Sequence, residues 1–184
     1  MSDGNGDGME VRPIGADDVP ALRRFFERVP EGDRTFFRED VLAPGVIEGW
    51  LTEERVTRQL AVDGDEVAGY VAVYPLVGWS SHVGELRVVV DPGRRRSGIG
   101  RALARAGLLE GVRQGLSKLV VEVVTEQEPA VALFNGLGFQ PEALLRGHVR
   151  DGEGRLRDLF VMAHVVDDTW SAMETTGIAE LVEG

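Results

Sequence analysis

The 184-residue sequence contains no cysteine, which excludes disulfides, thiolate metal sites and a cysteine acyl-enzyme together. Lysine is almost absent: Lys118 stands alone beside 19 arginines, so any anion binding must rest on guanidinium or backbone groups. The three histidines, His82, His148 and His164, are too scattered to suggest a metal cluster. No run approaches the ~18 apolar residues of a membrane span, and the first ten residues, MSDGNGDGME, lack the basic and apolar regions of a secretory signal. Bases are outnumbered, 20 against 31 acids, for a formal net charge of −11, which argues against nucleic acid or an anionic membrane as partner. The expectation is a soluble, cytoplasmic protein with no metal, no nucleic-acid partner and no membrane partner.

What is present is enough for one core. Length corresponds to about one domain, and 43% of the residues are hydrophobic. The negative charge is concentrated at the ends. Residues 1–10 hold Asp3, Asp7 and Glu10, and residues 167–184 hold Asp167, Asp168, Glu174, Glu180 and Glu183, with no base in either stretch. Without these eight acids, residues 11–166 carry 23 acids and 20 bases. In that nearly neutral segment, Arg94, Arg95, Arg96 and Arg101 fall within eight residues, a focused positive patch.

Residues 1–10 read as a flexible leader, residues 11–166 as the folded domain, and residues 167–184 as an acidic helical tail whose Trp170, Met173, Ile178 and Leu181 suggest a docked element or a homodimer contact. Within the domain, Val11–Ile14 is expected as a short strand. Behind the acidic N-cap candidates Asp17 and Asp18, Val19, Leu22, Phe25, Phe26 and Val29 have helical spacing. Residues 30–45 are expected to be irregular, with a short helix over about 46–54. Two strands flank the Asp63-Gly64-Asp65 turn, and ELRVVV (85–90) is a third, closed by Asp91-Pro92-Gly93. Apolar residues three or four apart from Ile99 to Leu116 predict a helix ending near Gly115. KLVVEVV (118–124) reads as a strand buried on both faces, Pro129 to Leu137 as a helix, and about 139–149 and 156–166 as two strands around the turn at 151–154. Strand 85–90, helix 98–114 and strand 118–124 have the length of a parallel crossover. The fold class is α/β (α+β), a single domain with a mixed, mostly antiparallel sheet.

The chemical centre is VVVDPGRRRSGIGRAL (88–103). A strand, a turn carrying Gly98 and Gly100, and a helix start follow one another, so backbone N–H groups without intrahelical partners are available to an anion. The spacing Gly93 to Gly98 approaches a P-loop, but Ile99-Gly100 stands where Lys-Ser/Thr belongs. The dinucleotide fingerprint fails at Leu103, where a third glycine belongs. Arg95-x-x-Gly98-x-Gly100 does match the Gln/Arg-x-x-Gly-x-Gly/Ala turn that binds the pyrophosphate of coenzyme A. With LRVVVDP before the turn and PAVALFNGLGF (129–139) after it, the sequence resembles the GNAT superfamily of acetyl-CoA-dependent N-acyltransferases over about residues 11–166.

The resemblance implies that strands 85–90 and 118–124 splay apart, with acetyl-CoA as cosubstrate between them, beside Val88, Val89 and Val90. Arg95, Arg96, Ser97, Gly98, Ile99, Gly100 and Arg101 would hold the phosphates, and the Val90 amide would polarise the thioester carbonyl. Two positions depart from the family pattern. Gln127 stands where asparagine is common, and Phe134 where a tyrosine often protonates the departing thiolate, which leaves the general acid unassigned and puts Phe134 against pantetheine or core. Glu85 is the first candidate for general base and His82 the second, because a strand bulge there would exchange faces; Glu85 also reads as a solvated strand-edge charge.

The acceptor site is expected in the variable segments. These are residues 30–45, including Asp33, Arg34, Phe36, Phe37 and Asp40; the loop Trp79 to His82; and the hairpin carrying Arg146, His148 and Asp158. Phe36 and Phe37 read more readily as core or loop anchors, and Arg157-Asp158 as a cross-strand pair. The implied function is N-acetyl transfer from acetyl-CoA to an amine of a small molecule or a protein N-terminus by direct attack. The alternatives are a CoA-binding regulatory protein with little catalysis, and a nucleotide-binding module.

Overall fold

The computed structural model describes residues 9–34, 37 and 39–166. The tail read from 167–184, the first eight residues of the expected leader, and Phe36 lie outside these residues. The chain runs β1 (Glu10–Pro13), α1 (Val19–Arg28), α2 (Glu31–Arg34), α3 (Val46–Trp50), β2 (Thr57–Asp63), β3 (Glu66–Pro75), β4 (Val83–Val90), α4 (Ile99–Arg113), β5 (Lys118–Val124), α5 (Glu128–Asn135), β6 (Gln140–Arg150) and β7 (Leu156–Val165). Most boundaries fall within two residues of the periodicity reading. The exceptions are instructive. Residues 30–45 contain the helical turn α2, α3 ends four residues early, and β1 begins at Glu10, inside the segment read as leader.

The seven strands form one sheet in the order β1-β2-β3-β4-β5-β7-β6. Every neighbouring pair is antiparallel except β4–β5, the product of the crossover through α4. Each face of the sheet carries its own core. On one, Leu22, Phe25 and Phe26 of α1 and Ile47 and Trp50 of α3 pack on Leu60 and Tyr70. On the other, Leu103 of α4 and Phe134 of α5 pack with Val71, Leu86, Leu119 and Val121. The alternation of a strand, one residue up and one down, assigns these two sets.

Asp18 occupies the expected N-cap position of α1 but does not cap it. Its carboxylate accepts from the Gly15 amide at 2.7 Å and from both Arg12 terminal nitrogens at 2.7 Å, tying β1 to the helix start. The Arg12 fork holds this carboxyl below its ordinary value, and the burial that opposes the shift is outweighed. No helix among the described residues is long and apolar enough to cross a membrane.

Candidate active site between two splayed strands

The β4–β5 ladder covers only Val83–Lys118, Gly84–Leu119 and Glu85–Val120. Beyond Glu85 the strands diverge, and the gap becomes a cavity of about 590 Å³. Its walls are Glu85 to Val90 of β4, Val121 to Val123 of β5, Leu133 and Phe134 of α5, the turn before α4, and Asp33 and Phe37.

Ladder geometry decides what β4 presents to the gap. The Asp91 amide donates to Ala68 O at 2.9 Å and Leu76 N donates to Val83 O at 2.8 Å. In an antiparallel pair, residues bonded to the partner alternate with residues bonded away from it. Val83, Glu85, Arg87, Val89 and Asp91 therefore bond β3, and the amides and carbonyls of Val88 and Val90 face the opening. On β5 the bonds Thr125 N to Asp158 O (3.1 Å) and Val166 N to Ser117 O (2.9 Å) fix the same alternation, so Glu122 and Val124 turn their backbone toward the gap. Phe37, Val89 and Phe134 complete an apolar lining with these polar rows.

Side chains alternate between the two faces of the sheet. Leu86 packs against α4, where a Cβ on Gly107 would lie 2.3 Å from its Cδ1. Glu85 and Arg87 point to the α1 face, with the Arg87 guanidinium 4.1 Å from the Tyr74 ring centroid. Arg87 Nε donates to Glu85 Oε1 at 2.8 Å. Burial works against charge on Arg87, yet the carboxylate outweighs it and the guanidinium is held above its ordinary value. Val121 and Val123 belong to the α4–α5 core, which leaves Glu122 on the same face as Glu85 and Arg87. This further carboxylate in the cavity wall, beside Glu85 and Asp33, was not singled out in the sequence; its signal was an acid set among valines in the run KLVVEVV.

The turn before α4 is shaped for an anion. Gly98 is the N-cap with φ 87° and makes no side-chain cap, and the first intrahelical bond is Ala102 N to Gly98 O at 3.0 Å. The amides ahead of Ala102 thus have no intrahelical acceptor. Arg96, with φ 65°, is the one non-glycine residue of positive φ among the described residues. Asp91 anchors the turn: its carboxylate accepts from the Gly93 amide at 2.9 Å and Arg28 Nε at 2.8 Å. Burial would raise its pKa, but Arg28 and the Gly93 amide outweigh burial and hold it below the ordinary value.

The four clustered arginines separate in space. Arg94 is held by Asp63 and Glu66 of the β2–β3 hairpin and does not line the cavity. Arg95, Arg96 and Arg101 do. Arg95 donates to Asp33, whereas Arg96 and Arg101 have no ion pair with any described residue. Ser97 Oγ donates to Arg94 O at 2.6 Å, outside the cavity lining. The Ile99 side chain is 4% exposed in the core, so only its backbone belongs to the turn. Gly98, Gly100 and Gln127 line the cavity.

Other expected site residues are not brought to the cavity. His82 is exposed at the closed end of the gap, its carbonyl accepting from Ser117 N at 2.9 Å. The β3–β4 register is unbroken from Gly84 to Val90, which removes the bulge that kept His82 in contention with Glu85. Trp79 is fully exposed on the turn Gly78–Ser80. His148 and Arg146 are exposed on β6, where the register with β7 shifts between Leu145 and Val149. Arg157 pairs with Asp151 (2.9 Å) and Glu126 (3.1 Å), and Asp158 accepts from Gly147 N at 2.8 Å, so these neighbours do not pair with each other. Phe37 is buried beside Phe26 and also reaches the cavity. Phe134 is 6% exposed and meets Phe139 edge-on at 5.3 Å. Among the described residues no group of histidine and carboxylate side chains is placed to hold a metal.

A model of the acetyltransferase (GNAT) family matches residues 20–139. A mycothiol acetyltransferase of Kocuria rhizophila is 38% identical over 142 residues, 72% of this chain and 46% of that protein. The chain thus spans less than half the length of that relative. A streptothricin acetyltransferase of Streptomyces lavendulae is 30% identical over 158 residues, 84% of this chain and 77% of that protein. The crystal structure of a ribosomal-protein-alanine N-acetyltransferase from Brucella melitensis superposes with a TM-score of 0.74 at 21% identity, covering 85% of this chain and 99% of that one. That likeness is one of fold.

Proposed function

The chain belongs to the acetyltransferase (GNAT) family, and on that premise we propose that it transfers the acetyl group of acetyl-CoA to a primary amine of a small molecule or a protein N-terminus. The observation that carries this reading is the continuity of the gap between β4 and β5 with the anion-binding turn at the start of α4. An extended chain carrying amides finds strand groups to pair with at Val88 and Val90, and its phosphates find the amides of Gly98 to Arg101 and the guanidinium groups of Arg96 and Arg101. Gly98 and Gly100 lack side chains where a phosphate needs close approach.

In this reading the amine nitrogen attacks the thioester carbonyl carbon directly. The C–N bond forms, the C–S bond breaks, one proton leaves the nitrogen and one reaches the thiolate. The Val90 amide, aimed into the gap, donates to the carbonyl oxygen as negative charge develops there. Glu85 takes the proton from the amine, directly or through water. Its bond to Arg87 orients the carboxylate, and Glu122, which lines the same cavity, is the comparison to make. Phe134 has no proton to give, and the thiolate is protonated from solvent.

Phe134 also motivates the competing reading, a CoA-binding regulatory protein with little catalysis. One experiment separates the two. The protein is incubated with acetyl-CoA and a panel of amines, including peptides with N-terminal alanine, and free thiol is followed. Amine-dependent thiol release is expected. CoA binding with no release above background for any amine refutes the enzyme.

A further inference from the structure

Arg95 and Asp33 are 62 positions apart in the chain, and the guanidinium donates directly to the carboxylate. Asp33 sits on α2, in the connection between α1 and α3, and both residues line the cavity. Their side chains are partly open to solvent, 52% exposed for Arg95 and 25% for Asp33. Arg94 is drawn away by acids of a hairpin outside the cavity; Arg95, by contrast, is paired with an acid on the other wall of the same cavity. A carboxylate there occupies a donor nitrogen of one of three cavity arginines and adds negative charge beside the turn that leads into α4. An anion entering the turn meets a competitor already in place.

We propose that Asp33 is a latch: it ties the α1–α3 connection to Arg95 until a phosphate of the cofactor takes the guanidinium over. The proposal rests on the CoA reading of the turn given above. Exchange is feasible because a partly exposed ion pair is weak and screened, whereas a pyrophosphate offers Arg95 more charge and is held at the same time by the α4 amides. The handover frees the connection that carries Phe37, so cofactor binding precedes any rearrangement of the acceptor wall. Asp33 on this account is a positioning residue, acting through Arg95.

Calorimetric titration of CoA into the full chain tests the latch, with the wild type compared against Asp33→Asn, Arg95→Gln, the double variant, and Glu31→Gln as a control of equal charge change on the same turn. Asp33→Asn is expected to bind CoA about two- to fivefold more tightly, Glu31→Gln as the wild type does, and Asp33→Asn is expected to change nothing when Arg95 is already glutamine. Unchanged or weaker binding by Asp33→Asn, or an equal gain in the control or in the Arg95→Gln background, overturns the latch alone. Absence of CoA binding by the wild type refutes the reading of the turn and the latch with it.

Discussion

Arg96 is expected to trade stability for cofactor affinity. It is the one described non-glycine residue held at positive φ, 65°, and a Cβ in the left-handed region costs ~1–2 kcal/mol. Arg96→Gly removes that cost but gives the unfolded chain more freedom, worth ~0.4–1 kcal/mol in the other direction. The balance is a gain of about 0–1.5 kcal/mol, and at ~2–4 °C per kcal/mol for a chain of this size the Tm should rise by up to about 6 °C. The same substitution removes a cavity guanidinium. A charge-assisted bond to phosphate is worth ~1.5–3 kcal/mol when desolvated, and at an exposed position screening cuts this to ~0.5–1 kcal/mol, about two- to fivefold in Kd. Thermal unfolding and CoA titration on the same preparations read both quantities. Arg96→Lys, which keeps the charge and the strained backbone, should leave Tm unchanged and hold most of the affinity. A lower Tm for Arg96→Gly refutes the strain argument, and undiminished CoA affinity refutes the assignment of Arg96 to the phosphate turn.

Glu85→Gln should lower turnover while leaving CoA affinity within about twofold; wild-type turnover there, together with a loss in Glu122→Gln, transfers the base role across the gap. Phe134→Tyr places a proton donor in the cavity wall and should raise turnover, by up to ~10²-fold, with acetyl-CoA KM unchanged; no change means that proton delivery at this position does not limit the rate. Gly107→Ala puts a methyl 2.3 Å from Leu86 Cδ1 and 2.9 Å from Val71 Cγ2, an overpacking of ~1–3 kcal/mol that should lower Tm by about 2–12 °C; an unchanged Tm would show that Leu86 swings aside freely. Asp18 and Asp91 both have carboxyls held below the ordinary 3.8. Their stabilisation is therefore complete above that value and is lost as pH falls through the lower native values, so Tm should drop steeply below about pH 4. Asp91→Asn should flatten that drop, and an identical pH profile would dismiss the carboxylate as its source.

How much of this was legible in the sequence depended on range. The strands, α1, α4, α5 and the Gly98–Gly100 turn were readable because periodicity and glycine spacing are properties of a few neighbouring residues, and the Arg95-x-x-Gly98-x-Gly100 match singled out a turn that the fold places in the cavity wall. Glu122 was not readable, because which face of β5 it occupies relative to Glu85 depends on the β4–β5 register. His82, Trp79 and His148 were plausible by residue type, yet the point at which the two strands part sets the cavity away from all three.

By itself, then, the sequence determined the order of elements, the crossover that makes β4 and β5 parallel, and the glycine turn at the helix N-terminus that is proposed to take an anion. Only the tertiary structure decided which charges remain for a ligand. The four arginines are equivalent as a string, but Asp63, Glu66 and Asp33 arrive from 28 to 62 positions away and take two of them. Ion pairing acts across space over a few ångströms, whereas sequence patterns report only on neighbours along the chain, and so the positive patch reduces to Arg96 and Arg101 with Arg95 held in reserve.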